Sequence, residues 1–126
     1  MNFPVRYVPG SGLNSFAGKP DEFLRGEDKP SKYLARCLDT INAQEPEVKA
    51  WVTTRIDAVR AEAAAADHRY AAGTPLSPLD GMPIGVKDVI QTRDMPTKFG
   101  SPIFDNHETG FDSASVDALR RAGALI

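Results

Sequence analysis

The chain has 126 residues, the length of one ordinary domain, and 25% of them are charged while 41% are hydrophobic, a composition typical of soluble globular proteins. The net charge of −2 excludes a nucleic-acid surface built on bulk positive charge. No apolar run approaches the ~20 residues that a membrane-spanning helix needs, so we expect neither nucleic acid nor membrane as a partner.

The N-terminal region, residues 1–19, is rich in proline and glycine and lacks a sustained apolar period. We expect an irregular arm here and no signal peptide, because the first residues hold neither a basic segment nor a continuous apolar one. Regular structure is expected from Pro30, where apolar residues recur at helical spacing as far as Ile41. Pro46 is expected to end this helix.

Three further elements follow in the middle of the chain. A short strand is predicted over 48–53, which contains Trp51 and Val52. The alanine-rich stretch 54–72 predicts a helix, because its apolar residues mark one face and Gly73 follows as a stop. The apolar segment 82–90 predicts a buried strand that ends near a loop.

The C-terminal third begins with a long stretch, 91–111, that lacks helical or strand period and predicts a functional loop. Asp112 is expected to cap a helix at 113–122 that ends at Gly123. Residues 124–126 are expected to begin another strand. The alternation of helices and strands predicts an α/β architecture with right-handed crossovers.

Most side chains that carry chemistry have an ordinary explanation. Two histidines, His68 and His107, are too few for a histidine-rich metal site. Cys37, the only cysteine, lies beside a leucine on a helix face and is expected to be a small core residue rather than a nucleophile. A single cysteine and the lack of an Asn-x-Ser/Thr sequon fit a reducing cytoplasm, where we expect the protein to be located.

Lys87 interrupts the apolar segment 82–90 and is the exception. One interpretation is that the strand ends there and the ammonium group reaches water, with loose pairing to Asp88. The other is that burial disfavours the charged amine and makes it available as a general base. Neighbouring strand residues point to opposite faces, so Asp88 does not decide between the two.

The sequence resembles the N-terminal signature block of the amidase signature family over roughly residues 20–126. The resemblance rests on the run Leu79-Asp80-Gly81-Met82-Pro83-Ile84-Gly85-Val86-Lys87-Asp88, on Met95-Pro96-Thr97, on Gly100-Ser101-Pro102, on Asp112-Ser113-Ala114-Ser115-Val116, and on Leu119-Arg120 with Ala122-Gly123-Ala124. It implies the N-terminal part of a layered α/β/α fold with a central mixed sheet, incomplete after the helix at 113–122.

The resemblance also implies a Ser-cisSer-Lys hydrolase that cleaves a carboxamide C–N bond, with Lys87 as the base. In that family the lysine is unprotonated beside a serine in a cis peptide, which relays a proton from the nucleophilic serine. Backbone donors of a glycine-rich loop stabilise the oxyanion. The resemblance implies neither a metal nor an organic cofactor, and a small-molecule amide as substrate.

The family's two catalytic serines lie in a Gly-Gly-Ser-Ser-Gly-Gly-Ser-type run that residues 1–126 do not contain. Ser101, Ser113 and Ser115 match no catalytic position, and the last two are expected to cap the helix at 113–122. We therefore expect an incomplete domain, which is a fragment, a cleaved piece or a truncated product. Its expected partners are the missing C-terminal part or a second copy.

Two alternatives stay open at this point. The chain is a non-catalytic module that keeps the first layer of the fold and binds a partner chain, or it belongs to an amidotransferase subunit that releases ammonia from glutamine for another protein. Nothing in residues 1–126 separates that subunit from a free-standing amidase.

Overall fold

The structure, a computed structural model, describes residues 15–126, so most of the expected N-terminal arm lies outside the described residues. The helices are α1 Lys19–Leu24, α2 Pro30–Val48, α3 Ile56–Ala71 and α4 Ala114–Arg121, with one 3-10 turn at Pro102–Phe104. Between residues 15 and 126 the β-structure consists of two isolated bridges, parallel at Pro83 and Leu125 and antiparallel at Thr92 and Met95. No helix in this range is long and apolar enough to cross a bilayer.

Helix α1 was not expected, because regular structure was predicted only from Pro30. Its six residues are too few to show an apolar period in the sequence. Its buried side chain Phe23 makes edge-to-face contacts with Tyr33 and Tyr70 at ring-centroid distances of 6.4 and 5.1 Å. This aromatic cluster joins α1 to α2 and α3.

Helices α2 and α3 pack against each other and form the main core. Its buried members are Leu34, Leu38, Val59, Ala63 and Leu125. The prediction that Pro46 ends α2 is wrong, since the helix continues to Val48. A proline in the last turn removes only one hydrogen bond of the helix ladder, so it does not end the helix there.

The predicted strand at 48–53 is also wrong. Val48 belongs to α2, and Lys49 then adopts a left-handed conformation with φ of 49°. The Glu45 carboxylate accepts hydrogen bonds from Ala50 N (3.1 Å) and Trp51 N (2.9 Å), so these two amides are used by a turn and not by a neighbouring strand. A side chain at Gly85 would come within 3.0 Å of the Trp51 ring, which therefore lies over that residue.

The segment 82–90 forms only the beginning of the predicted strand. Leu125 N donates to Met82 O and Ile84 N donates to Leu125 O, both at 2.8 Å, so the segment pairs in parallel with the expected strand at 124–126. Beyond Gly85 the chain turns away. Val89 and Ile90 are exposed by 48% and 38%, so burial of the second half of the strand was wrongly predicted.

Helix α4 matches the prediction for 113–122 closely, but its cap is Ser113 and not Asp112. Ser113 Oγ accepts a hydrogen bond from Val116 N. Asp112 instead accepts from Arg93 N (2.8 Å) and pairs with Arg120, because its carboxylate faces the loop. Val116 of α4 packs with Ala124 and Ile126 in a second small core.

Candidate active site

Lys87 lies on a segment whose backbone is fixed on its N-terminal side by the bridge to Leu125. Ile84 N donates to Leu125 O at 2.8 Å, and Lys87 itself begins a turn in which its carbonyl oxygen accepts from Val89 N (2.7 Å) and Ile90 N (2.9 Å). The Lys87 side chain is exposed. Residues 15–126 give it no ion pair and do not enclose its amine, which therefore faces outward from a fixed backbone.

Asp88 fixes the same segment on its C-terminal side. Its Oδ1 accepts from Lys98 N at 2.8 Å, and its carbonyl oxygen accepts from Phe99 N at 3.0 Å. Its second carboxylate oxygen, Oδ2, is buried without a hydrogen-bond partner among the described residues. The loose pairing of Lys87 with Asp88 is not formed, because this carboxylate is turned toward the 97–99 turn.

The other candidates lie in structural positions. Cys37 is half-buried on α2 beside Tyr33, and burial raises the pKa of its thiol, which disfavours the reactive thiolate. His68 is an exposed residue in the last turn of α3. The His107 ring packs on Phe104 at a centroid distance of 5.8 Å, and its carbonyl oxygen accepts from Thr97 N. In the chain from residue 15 onward, no group of three or more His, Cys, Asp or Glu could hold a metal ion.

A charged network that the sequence did not reveal holds both ends of the long loop against the helices. Asp94 pairs with Arg55 at 2.9 Å and with Arg120 at 2.6 Å, while Arg120 Nε lies 3.0 Å from Asp112. Arg55 also donates to Ile126 O at 3.0 Å. Its members are separated by up to 71 residues, so no local pattern indicates it. We call these five residues the Arg55 network.

Two surface cavities of the described chain lie away from Lys87. The larger, about 260 Å³, is lined by residues of α1, of the α1–α2 connection and of the facing ends of α2 and α3. The smaller, about 80 Å³, is lined by the end of α2 and by Ala50 and Trp51. Neither encloses the lysine amine, so the described residues present Lys87 on an open surface and not in a substrate pocket.

A family model and the curated relatives of this chain both match most of its length. The family model described as Amidase matches residues 32–126. One subunit of the Glutamyl-tRNA(Gln) amidotransferase from Chloroflexus aggregans is 42% identical over 101 residues, which are 80% of this chain and 21% of that protein. The subunit of the same name from Oleidesulfovibrio alaskensis is 46% identical over 91 residues, 71% of this chain and 18% of its own length. The chain thus spans about a fifth of the length of the curated relatives it matches.

Solved structures support the same fold. The native peptide amidase from Stenotrophomonas maltophilia superposes with a TM-score of 0.81 at 28% identity, covering 93% of this chain and 24% of that enzyme. A chain from a vestigial protein complex that reveals the evolutionary origins of an s-triazine catabolic enzyme superposes with a TM-score of 0.80 at 28% identity, covering 88% of this chain and 24% of its own. The described residues are mostly helical and correspond to one part of that larger fold, which confirms the predicted fold class. The chain belongs to the amidase signature family.

Proposed function

We propose that this chain carries the lysine-bearing part of a catalytic domain that cleaves carboxamide C–N bonds, with Lys87 as the base. The observation that carries the proposal is the position of Lys87 in the signature run, within the residues 32–126 that match the family and on a backbone that is hydrogen-bonded on both sides. Residues 15–126 leave the amine exposed, so the burial that disfavours its charged form must come from the rest of the proposed catalytic domain.

The proposed chemistry needs two serines in addition to Lys87. A serine hydroxyl attacks the amide carbon while its proton passes through the second serine to the lysine amine, and the amine product leaves with a proton. Water then cleaves the acyl-enzyme and restores the serine. Residues 1–126 hold neither serine of the family's run, so activity requires further polypeptide. We infer that this polypeptide and a small amide are the partners, and that the site is cytoplasmic, as the single cysteine suggests.

A second candidate is an amidotransferase subunit that releases ammonia from glutamine. It is favoured by the relatives, since the matches at 37–46% identity are subunits of Glutamyl-tRNA(Gln) amidotransferase, whereas the peptide amidase structure is 28% identical. In this version Lys87 keeps its role, the amide is glutamine, and the ammonia passes to another protein.

A chimera tests the role of Lys87, which both versions share. Residues 32–126 replace the matching segment of the Chloroflexus aggregans protein, and ammonia release is measured from glutamine and from simple aliphatic amides. We expect Lys87→Ala to lower the rate on the order of 10³-fold or more, as loss of a catalytic base does. The matched control Lys32→Ala, at an exposed lysine on α2, should leave the rate within about twofold.

The results separate the proposals. Residues 1–126 do not distinguish the two versions, so the substrate is tested with the complete protein that carries this chain: preference for glutamine supports the amidotransferase, and preference for simple amides supports the amidase. Near-normal kcat in a Lys87→Ala chimera, or a chimera that melts cooperatively but has no activity, would contradict the base role. The 126-residue chain alone should hydrolyse no amide above its Lys87→Ala variant. If it melts sharply as a monomer, the non-catalytic binding module gains support instead.

A further inference from the structure

Three buried side-chain atoms in the described chain have no hydrogen-bond partner, and two of them belong to residues next to the hydrogen bond between Lys98 N and Asp88 Oδ1. The three are Asp88 Oδ2, Thr97 Oγ1 and Arg120 Nε. Arg120 Nε is explained by its ion pair with Asp112 in the Arg55 network. Asp88 and Thr97 flank the bond from Lys98 N to Asp88 Oδ1, which leaves the Asp88 carboxylate with this single donor.

The Asp88 carboxylate accepts few hydrogen bonds for a partly buried charged group. Removing charge from water costs free energy that hydrogen bonds must offset, and here only one of the two oxygens is offset by a described donor. The hydrogen bond of the Asp88 carboxylate has a structural effect on the backbone. Residue 88 follows Lys87 directly, so this bond ties the backbone at Lys87 to the 97–99 turn.

The turn that receives Asp88 is itself rigidly built. Phe99 has a left-handed backbone with φ of 54° and donates its N–H to Asp88 O, while Thr97 N donates to His107 O, both at 3.0 Å. Residue 88 is therefore held by side chain and main chain to two consecutive amides. On the other side, the bridge to Leu125 holds the backbone at Ile84.

We propose that Asp88 is a positioning residue for Lys87: its carboxylate, through the single bond to Lys98 N, fixes the backbone from which the lysine amine projects. This inference rests on the proposed role of Lys87 as base. Asp88 touches no reacting atom in this scheme. It acts by restricting the directions that the lysine side chain can take, which lowers the entropy lost when the amine meets its proton donor.

The test uses the full 126-residue chain and does not require activity. Three variants are compared: Asp88→Ala removes the acceptor, Asp88→Asn keeps an oxygen acceptor without the charge, and Thr97→Val removes the other unpartnered group and leaves the Lys98 bond intact. Hydrogen exchange is measured at the Lys98 amide, and backbone order from ¹⁵N relaxation at Lys87.

We expect Asp88→Ala to speed exchange of the Lys98 amide by about tenfold or more, as for loss of a bond to a charged group. The order parameter at Lys87 should fall from about 0.85 toward about 0.6 or lower. Asp88→Asn should restore both readouts, and Thr97→Val should change neither by a measurable amount. Protection of the Ala66 amide in α3 reports whether each variant is folded. If Asp88→Ala is unfolded, Asp88→Ser, whose shorter side chain does not reach Lys98 N, makes the same comparison.

Two results would overturn the proposal. If Lys98 exchange rises while Lys87 stays ordered, Asp88 stabilises only the 97–99 turn. If the asparagine variant is as mobile at Lys87 as the alanine variant, the hydrogen bond is not what holds the segment. Neither result bears on the base role, which fails separately if Lys87→Ala leaves amide hydrolysis unchanged.

Discussion

Replacing Asp80 by alanine is expected to remove a large part of the stability of this chain. Asp80 is fully buried and accepts three hydrogen bonds, from Arg69 Nε at 2.8 Å, Arg69 Nη2 at 2.6 Å and Leu76 N at 2.9 Å. Its carbonyl oxygen accepts a fourth, from Tyr70 OH at 3.0 Å. The carboxylate thus links the end of α3 to the segment that precedes Lys87.

The magnitude follows from what the alanine variant leaves behind. The Arg69 guanidinium, with 28% of its side chain exposed, loses its bidentate partner, and the Leu76 amide loses its acceptor. Removing one member of a buried ion pair costs about 3–5 kcal/mol. Total stability of a domain is about 5–15 kcal/mol, so the variant should lose roughly a fifth or more of it.

Urea unfolding, with the midpoint compared at constant slope, measures this loss. The matched control is Asp57→Ala, because Asp57 is fully exposed and lies 4.0 Å from Arg60, so its pair should contribute no measurable stability. A loss below about 1 kcal/mol for Asp80→Ala, with an unchanged slope, would refute the reasoning that this carboxylate joins α3 to the chain before Lys87.

Three more predictions concern single positions. Gly123→Ala should lower the free energy of unfolding in urea by about 2–4 kcal/mol, because φ is +91° and a Cβ would collide with the Asp80 carboxylate. The control Gly73→Ala has open space at φ +70° and should lower it by only about 1 kcal/mol. The Arg36 guanidinium lowers the pKa of Asp28 from 3.8 to about 2. The contribution of the Asp28 carboxylate to folding stability is therefore complete above about pH 4 and is lost as the pH falls to 2. Unfolding free energy should drop by about 1 kcal/mol across that window, and Asp28→Asn should not show this drop. Finally, twelve large apolar side chains of the described residues are exposed, so the chain should associate in solution, and Ile103→Lys should reduce the association seen by sedimentation.

The sequence predicted the elements whose signals are local. Helices α3 and α4 repeat an apolar face and are followed by glycine, and the family's motif indicated Lys87 as the candidate base. The strand predictions failed where a side-chain carboxylate fixes the backbone in a turn. Glu45 captures the amides at 50 and 51, and Asp88 turns its segment toward residue 98. An apolar run forms a strand only if its backbone amides are free to pair with a neighbouring strand. The spacing of apolar residues along the sequence does not show whether they are free.

The long-range hydrogen bonds and ion pairs around the candidate site could not be predicted from the sequence either. Each joins residues far apart in the chain, such as Arg55 with Ile126 or Ile84 with Leu125. Their partners are decided by how α2 and α3 pack, which is a property of the assembled core and not of a window of sequence.

The parallel bridge between Pro83 and Leu125 also gives the molecule a closed loop. Gly81 N donates to Gly123 O at 2.9 Å next to that bridge, so the two ends of the segment 85–122 lie side by side. Doubling the length of such a loop adds only about 0.6 kcal/mol of closure entropy. Its tip at Ile103 is 87% exposed and should accept an inserted peptide or tag. A protease cut beside Ile103 should likewise yield two pieces that remain together until denaturant separates them.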